Sequence, residues 1–204
     1  EVPSVRQVFK GIDSVFLLNP VGLTETAEAL MALTQMRIDG VKKVVYLSVH
    51  QADGAAYLPH FGSKVGVEEA IKHSGLTYSI LRPNNFYQND YWFKDVILQY
   101  GVYPQPIGST GLSRVDVRDI AEAAAVALTT SAADGQTFDL VGPEIVTGAS
   151  TARVWSDVLG KTMGTMLPML KACPGQQIDK VKAILDQIDG AALGGRLSGS
   201  SASP

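Results

Sequence analysis

The sequence lacks the features that mark several protein classes. Its 204 residues include one cysteine, Cys173, so no disulfide can form within the chain, which fits a reducing compartment. No apolar run approaches the ~20 residues that cross a membrane, and the first residues have no apolar stretch typical of a signal peptide. The 17 basic and 20 acidic residues are mixed, without a basic stripe. We therefore expect a cytoplasmic protein that contacts neither membrane nor nucleic acid.

A glycine-rich turn after a strand is also missing. In dinucleotide-binding folds such a turn follows the first strand, and its backbone N–H groups bind the pyrophosphate at a helix N-terminus. Gly194, Gly195 and Gly199 have partly similar spacing, but no strand precedes them. The chain also begins with Glu1 rather than Met. We expect the first βαβ segment of such a fold, with its phosphate-binding loop, to be absent.

Apolar runs and helical stretches alternate along the chain, which predicts an α/β fold with a doubly wound parallel sheet. The predicted strands are 14–18, 41–47, 77–81 and 137–141; the predicted helices are 24–40 capped by Thr24, 60–73, 86–100, 120–129 opened by Asp119, and 149–159. The spacing of Ile178, Val181, Ile184, Leu185 and Ile188 predicts one more amphipathic helix. These elements suggest a partial dinucleotide-binding domain over 1–160, a small helical segment over 161–193 and a disordered tail over 194–204.

The first predicted strand is apolar on both faces. Val15, Phe16, Leu17 and Leu18 form a continuous run, as in an interior strand of a parallel sheet. If this is the fourth strand of a 3-2-1-4-5-6 sheet, the loss of the first three leaves it as a bare edge. Such an edge can aggregate or pair with another chain to form an oligomer. The alternative is a short sheet that simply begins here.

Polar residues fall at strand ends on the side where such sheets bind ligands. Ser48 ends one strand, and Pro83-Asn84-Asn85-Phe86 follows another. His60 and Lys64 lie four residues apart and share one helix face. A structural reading stays open for each: His60 as a helix cap or packing residue, Lys64 as a solvated lysine, and Pro83 as punctuation after a strand. Among Tyr91, Trp92 and Phe93, which could line an apolar pocket, at least one should belong to the core.

Five segments together resemble the NmrA-like group of atypical short-chain dehydrogenase/reductases. They are G-I-D-S-V-F-L-L-N-P (11–20), V-K-K-V-V-Y-L-S (41–48), H-F-G-S-K-V-G-V-E (60–68), S-G-L-T-Y-S-I-L-R-P-N-N-F-Y-Q-N (74–89) and V-D-V-R-D-I-A-E-A-A (115–124). The family normally opens with a G-x-x-G-x-x-G turn, which this sequence does not contain. The resemblance implies a Rossmann-like fold that binds NADP or NAD, with NADP favoured.

The resemblance also implies site residues. Classical members of the superfamily use a serine and a Tyr-x-x-x-Lys pair; Ser48 and Lys64 match the serine and the lysine, and His60 stands where the tyrosine would be. A helix N-terminus and a nearby lysine are expected to disfavour the charged form of His60. Tyr57 is an alternative acid on a loop. Implied cofactor contacts are Asn19, Pro20, Ser48, Lys64, Pro83, Asn84, Asn85 and Phe86, with no metal.

Three functions remain open. The first is an NAD(P)-dependent oxidoreductase that acts on a small carbonyl or quinone-like substrate through Ser48, His60 and Lys64. The second is a non-catalytic NADP-binding sensor with a regulatory protein partner, which the histidine at position 60 favours. The third is a truncated form without activity. Without a glycine loop, we expect the chain to bind NADP far more weakly than relatives that have one.

Overall fold

A computed structural model describes residue 5 and residues 7–166. The chain forms two compact units whose segments alternate along the sequence. Among the described residues, the first unit contains those up to Asn84 and Val115–Gly142, and the second contains Asn85–Arg114 and those from Pro143 to Met166. The stretch 1–160, which the sequence suggested as one domain, is thus divided between the two units.

The elements alternate as the sequence predicts. The strands are β1 (Ser14–Leu17), β2 (Lys43–Leu47), β3 (Thr77–Pro83), β4 (Val102–Tyr103), β5 (Gln136–Leu140) and β6 (Gly164–Thr165). The helices are α1 (Glu25–Asp39), α2 (Pro59–Lys72), α3 (Lys94–Tyr100), α4 (Val117–Thr129) and α5 (Gly148–Leu159), with 3₁₀ turns at Asp53–Ala55 and Tyr87–Phe93. The predicted α/β class with a parallel sheet is confirmed.

The first unit is built on a four-stranded sheet in the order β1-β2-β3-β5, with every neighbouring pair parallel. Every residue of β2 is buried, because α1 and α2 pack with the strands in one apolar core and α4 contacts the strands as well. β1 is an outer strand among the described residues, as predicted, and leaves Phe16 38% exposed. The core between sheet and helices includes Val44, Ile80, Leu33, Met36 and Ile71.

Local chemistry explains where α1 and α2 begin and end. Gly40 ends α1 at φ 77°, a left-handed conformation that glycine adopts without strain. Thr24 precedes α1 as predicted, but its hydroxyl bonds the Glu28 carboxylate rather than a backbone N–H. Pro59 begins α2, where its missing N–H costs nothing. Gly62 lets α2 approach the preceding turn, since a Cβ at this position would lie 2.6 Å from the Ala56 carbonyl oxygen.

Two helix predictions need correction. α4 is capped by Asp116, whose carboxylate accepts a hydrogen bond from the Arg118 backbone N–H at 2.8 Å, so Asp119 lies inside the first turn. The predicted helix 86–100 is a 3₁₀ segment over Tyr87–Phe93 followed by the short α3. The Arg114 guanidinium donates to the carbonyls of Phe86 and Tyr87, which competes with α-helical bonding there.

The second unit contains the short parallel pair β4 and β6 with α3 and α5. Its apolar core includes Ile97, Tyr103, Ala152 and Met163, and Phe93 packs against it. Phe93 is therefore the core aromatic of its run, whereas Tyr91 and Trp92 are more than 70% exposed. No helix within the described part of the chain is long and apolar enough to cross a membrane. The predicted helix around 178–188 and the tail 194–204 lie outside the described residues.

Candidate functional site

The site lies in the first unit at the edge where parallel strands end. Because β1, β2 and β3 run in the same direction, the residues that follow them share one edge of the sheet. Asn19 follows β1 and Ser48 follows β2, while Pro83 ends β3. The first turns of α2 bring His60 and Lys64 into the same cluster, where both contact Glu25.

Lys64 is a buried ammonium group. Its side chain is 4% exposed, and Nζ lies 2.8 Å from Oε1 of Glu25. Nζ also donates to the Leu47 carbonyl at 3.3 Å, immediately before Ser48, and lies 5.1 Å from the centre of the Tyr46 ring. The carboxylate and the aromatic face both stabilise a positive charge here. The reading of Lys64 as a solvated surface lysine is therefore wrong.

Glu25 connects this lysine to His60. Its side chain is 1% exposed and lies in the first turn of α1. Oε2 accepts a hydrogen bond from the Ser63 hydroxyl at 2.8 Å and contacts Nδ1 of His60 at 3.1 Å. Burial alone would raise the pKa of Glu25, but hydrogen bonds from Lys64, Ser63 and His60 outweigh burial and lower it below its usual value. Glu25 is thus an ionised carboxylate inside the cluster.

His60 occupies the first turn of α2 with its side chain 31% exposed. The Phe61 ring meets the imidazole edge to face, with the ring centres 5.8 Å apart. The only side-chain hydrogen bond that the imidazole makes to the described residues is the one through Nδ1 to Glu25. Nε2 is therefore left for an external group.

Ser48 is buried and belongs to a second charged chain. Its hydroxyl donates to Oε1 of Glu68, a carboxylate that is 1% exposed. The Arg82 guanidinium donates two hydrogen bonds to the same carboxylate, from Nε at 2.9 Å and from Nη2 at 2.7 Å. Its Nη1 donates to the carboxylate of Asp53. A hydroxyl has one proton to donate, so this bond leaves Ser48 Oγ as an acceptor. Ser48 cannot donate to a carbonyl oxygen while it donates to Glu68.

Asn19 is half-buried, and Pro20 after it is exposed. The side-chain oxygen of Asn19 is fully buried and has no hydrogen-bond partner among the residues described. An unsatisfied buried acceptor costs free energy, so a native site usually supplies a donor there. The Asn19 oxygen is therefore an acceptor that the described residues leave unsatisfied, at a strand end where the sequence predicts a cofactor contact.

The predicted stretch after β3 is divided between the two units. The Pro83 carbonyl accepts from the His50 backbone N–H at 2.9 Å, and the Asn84 backbone N–H donates to the Leu140 carbonyl at 3.0 Å. Asn85 and Phe86 belong to the second unit, where both bind Arg114. Arg114 is fully buried there and also pairs with Asp90 at 2.8 Å.

These residues suit the nicotinamide-ribose half of a dinucleotide. Nζ of Lys64 has three N–H donors and contacts two acceptors among the described residues, Glu25 and the Leu47 carbonyl, so a third donor is left for a ligand hydroxyl. Ser48 Oγ and the orphaned Asn19 oxygen are acceptors at the same edge. The sequence has no glycine-rich turn after a strand for the phosphates. The predicted alternative acid, Tyr57, is 83% exposed on its loop.

A comparison with protein families identifies the family of this chain. The model of the NmrA-like family matches residues 1–172, which is most of the chain. The chain belongs to the NmrA-like family. The predicted resemblance is therefore confirmed, together with the Rossmann-like fold class.

Known proteins similar to this NmrA-like chain include several reductases. The NAD(P)H azoreductase of Xenophilus azovorans is 26% identical over 156 residues, which cover 74% of this chain and 53% of that protein. The triphenylmethane reductase of Citrobacter sp., solved with NADP(H), has a TM-score of 0.72 at 20% identity over 100% of this chain and 73% of its own. The NADPH-dependent quinone oxidoreductase of Escherichia coli, solved with NADPH, has a TM-score of 0.73 at 19% identity over 94% of this chain and 70% of its own.

At these identities the two solved structures establish the fold alone. The chain spans about half the length of the curated relatives that it matches.

Sequence reasoning did not find the two buried carboxylates that organise this NmrA-like site. Glu25 and Glu68 look like ordinary helix residues in the sequence, because an acid in the first turn of a helix is favourable for the helix dipole and an acid in its interior is common. The sequence gives only a weak indication of these two acids, which is that both lie on helices that follow strand ends. Apart from Lys72, four residues from Glu68, their partners lie 14 to 39 residues away, so only the folded chain reveals those pairs.

Proposed function

We propose that the protein is an NAD(P)H-dependent reductase of conjugated electron acceptors, such as quinones and dyes. The observation that carries this proposal is Lys64: a buried ammonium at the carboxyl edge of a parallel sheet with one donor left for a ligand. His60 lies one helical turn away, and its Nε2 makes no hydrogen bond to the part of the chain that the structure describes. Ser48 follows Leu47, whose carbonyl accepts from the lysine.

A bound nicotinamide cofactor would supply a hydride to the substrate. Lys64 would donate to a ribose hydroxyl, and Ser48 Oγ would accept from an amide N–H or a hydroxyl. Asn19 would accept through the oxygen that has no partner among the described residues. We propose NADP rather than NAD, on the strength of the resemblance alone.

The chain's own acid–base groups favour conjugated acceptors over simple carbonyls. Reduction of an isolated carbonyl needs a strong hydrogen-bond donor at the oxygen, a role that Ser48 cannot play while it donates to Glu68. A cationic triarylmethane dye needs only a hydride, since hydride addition neutralises it. A quinone needs a hydride and one proton, which His60 can supply.

The relatives support the same class of acceptor. The azoreductase, the triphenylmethane reductase and the quinone oxidoreductase are named for three different conjugated substrates. What these substrates have in common is an extended π-system that accepts two electrons.

The test is oxidation of NADPH at millimolar concentration with a quinone, an azo dye and a triphenylmethane dye. The variant Lys64→Met should raise the KM for NADPH by about tenfold or more, because a charge-assisted hydrogen bond is worth about 1.5–3 kcal/mol. Lys72→Met is the matched control: Lys72 lies on the same helix, and its Nζ is 2.7 Å from Glu69. Equal KM values in the two folded variants would contradict the site assignment.

A non-catalytic NADP-binding sensor is the second candidate. The histidine in place of tyrosine and the bond between Ser48 and Glu68 favour it, because both weaken carbonyl chemistry. Binding of NADPH that depends on Lys64, without turnover of any acceptor in the panel, would select the sensor and reject the reductase.

A further inference from the structure

Glu25 is a buried carboxylate without a role in the reaction proposed above, although it contacts both His60 and Lys64. Its two oxygens are shared between three donors: Oε1 faces Lys64, and Oε2 faces Ser63 and His60. We propose that Glu25 is a positioning residue that holds a proton on Nδ1 of His60, so that Nε2 is the atom that gives a proton to the substrate. This inference rests on the proposed reductase function.

The hydrogen-bonding chemistry assigns the tautomer. An ionised carboxylate can only accept hydrogen bonds. Glu25 lies 2.8 Å from the Lys64 ammonium and accepts a hydrogen bond from the Ser63 hydroxyl, and this environment keeps it ionised. Nδ1 of His60, at 3.1 Å, must therefore be the donor of its bond. In the neutral imidazole the lone pair is then on Nε2, and in the imidazolium Nε2 has the transferable proton.

The imidazole is also held in place. Ser63, three residues after His60, donates its single hydroxyl proton to Glu25 at 2.8 Å, which ties the carboxylate to the first turn of α2. The edge-to-face contact with Phe61 limits rotation of the ring. A histidine fixed by a carboxylate on one nitrogen and free on the other is the arrangement that acid–base catalysis uses.

Glu25 also changes the electrostatic environment that the sequence suggested for His60. A helix N-terminus and Lys64 alone would disfavour the imidazolium. Glu25 lies 2.8 Å from the Lys64 ammonium and also contacts the imidazole of His60, so its negative charge lies beside both groups. The other buried carboxylate nearby, Glu68, is engaged by Arg82 and Ser48.

The proton transfer balances with the hydride step. A quinone that receives a hydride gains two electrons and one hydrogen, and one further proton completes the hydroquinone. The Nε2–H bond of His60 breaks as the O–H bond of the product forms. Neutral His60 then regains a proton from water, to which it is partly exposed, while Glu25 stays ionised throughout.

The first experiment needs no substrate or cofactor. Long-range ¹H–¹⁵N NMR of the imidazole rings in the ¹⁵N-labelled chain reports which nitrogen has the proton, and the chain has three histidines. His60→Gln assigns the signal. We expect neutral His60 to have its proton on Nδ1. A proton on Nε2 in the unmodified protein would overturn the proposal by itself.

A double variant tests whether Glu25 is the cause. Glu25→Met with Lys64→Met replaces the ion pair by apolar chains of similar length, a change that proteins often tolerate. We expect the His60 proton to leave Nδ1 in this variant, whereas His73, whose Nδ1 contacts the Glu69 carbonyl at 2.8 Å, keeps its own pattern. Glu25→Asp, which retains the charge, should preserve the Nδ1 proton, as should the exposed control Glu28→Gln. An unchanged His60 signal in the folded double variant would refute the role of Glu25.

Kinetics then separate positioning from general structural damage. Glu25→Gln and His60→Gln should lower kcat more with a quinone, which needs a proton, than with a cationic triarylmethane dye, which needs none. We expect the ratio of the two kcat values to fall by about tenfold or more, the lower range of general acid catalysis being about 100-fold. An equal loss with both substrates would mean a purely structural role. If the unmodified protein reduces neither substrate, the reductase function fails, and the NMR result still decides the tautomer.

Discussion

Removal of the Lys64 charge without removal of its partner should destabilise the protein strongly. Lys64→Met keeps most of the side-chain volume but leaves Glu25 buried without its ammonium partner. Unit charges 2.8 Å apart attract by roughly 6 kcal/mol at an effective dielectric constant of about 20. Ser63 and His60 still bond the carboxylate, so we expect a net loss near the lower end of the about 3–5 kcal/mol typical of broken buried pairs.

The pH dependence of this loss follows from Glu25. In the unmodified protein its pKa is lowered, so its contribution to stability is present above the unfolded pKa, 4.5, and is lost as pH falls through the folded value. In Lys64→Met the largest remaining influence is burial, which raises the pKa of Glu25. Without its ammonium partner, the Glu25 carboxylate then becomes protonated at a higher pH, and the neutral carboxyl group has a smaller desolvation cost. The destabilisation should therefore be largest near neutral pH and become smaller as the solution is acidified.

The assay is urea unfolding followed by far-UV circular dichroism between pH 4 and pH 8. Lys72→Met serves as the control, because Lys72 lies on the same helix and pairs with Glu69, which is more than half exposed. Glu25→Met with Lys64→Met should recover most of the stability lost in Lys64→Met and should lack its pH dependence. The reasoning is refuted if Lys64→Met and Lys72→Met lose the same free energy at pH 7, or if the double variant is less stable than the single one.

Three further predictions concern stability measured in the same way. Gly62→Ala should lower the free energy of unfolding by about 1–3 kcal/mol, because the new Cβ meets a backbone oxygen. Gly66→Ala on the same helix faces open space and should raise it by up to about 1 kcal/mol. The opposite order would contradict the close approach at Gly62. Asp116→Ala should cost about 1 kcal/mol as the loss of a helix cap, and Asp119→Ala clearly less. Arg114→Met leaves Asp90 without its buried partner and should cost about 3–5 kcal/mol; a loss under 1 kcal/mol would rule out a net stabilising role for that pair.

Much of the fold follows from patterns that are local in sequence. The apolar runs 14–18 and 41–47 predict two strands of a parallel sheet, and β1 and β2 form such a pair. Gly40 and Pro59 mark helix boundaries through backbone preferences that need no tertiary partner. Parallel strands then bring Ser48 and the α2 residues to one edge of the sheet, which is why the sequence alone predicts part of the candidate site.

Other features could not be predicted from helix propensity. Asp116 and Asp119 are both plausible caps, and the structure selects Asp116, which accepts from a backbone N–H two residues away. The 3₁₀ segment after Phe86 depends on Arg114, 28 residues further along the chain. Neither outcome can be read from propensity, because each depends on which polar group reaches the backbone in three dimensions.

The site shows the same division. The sequence by itself determined that Lys64 and His60 share a helix face near a strand end, because helical periodicity is a local property. Only the tertiary structure decided what they do there, by placing the carboxylate of Glu25 against both. The physical reason is desolvation: burial makes an uncompensated charge costly, so the fold must supply the opposite charge from a distant segment of the chain.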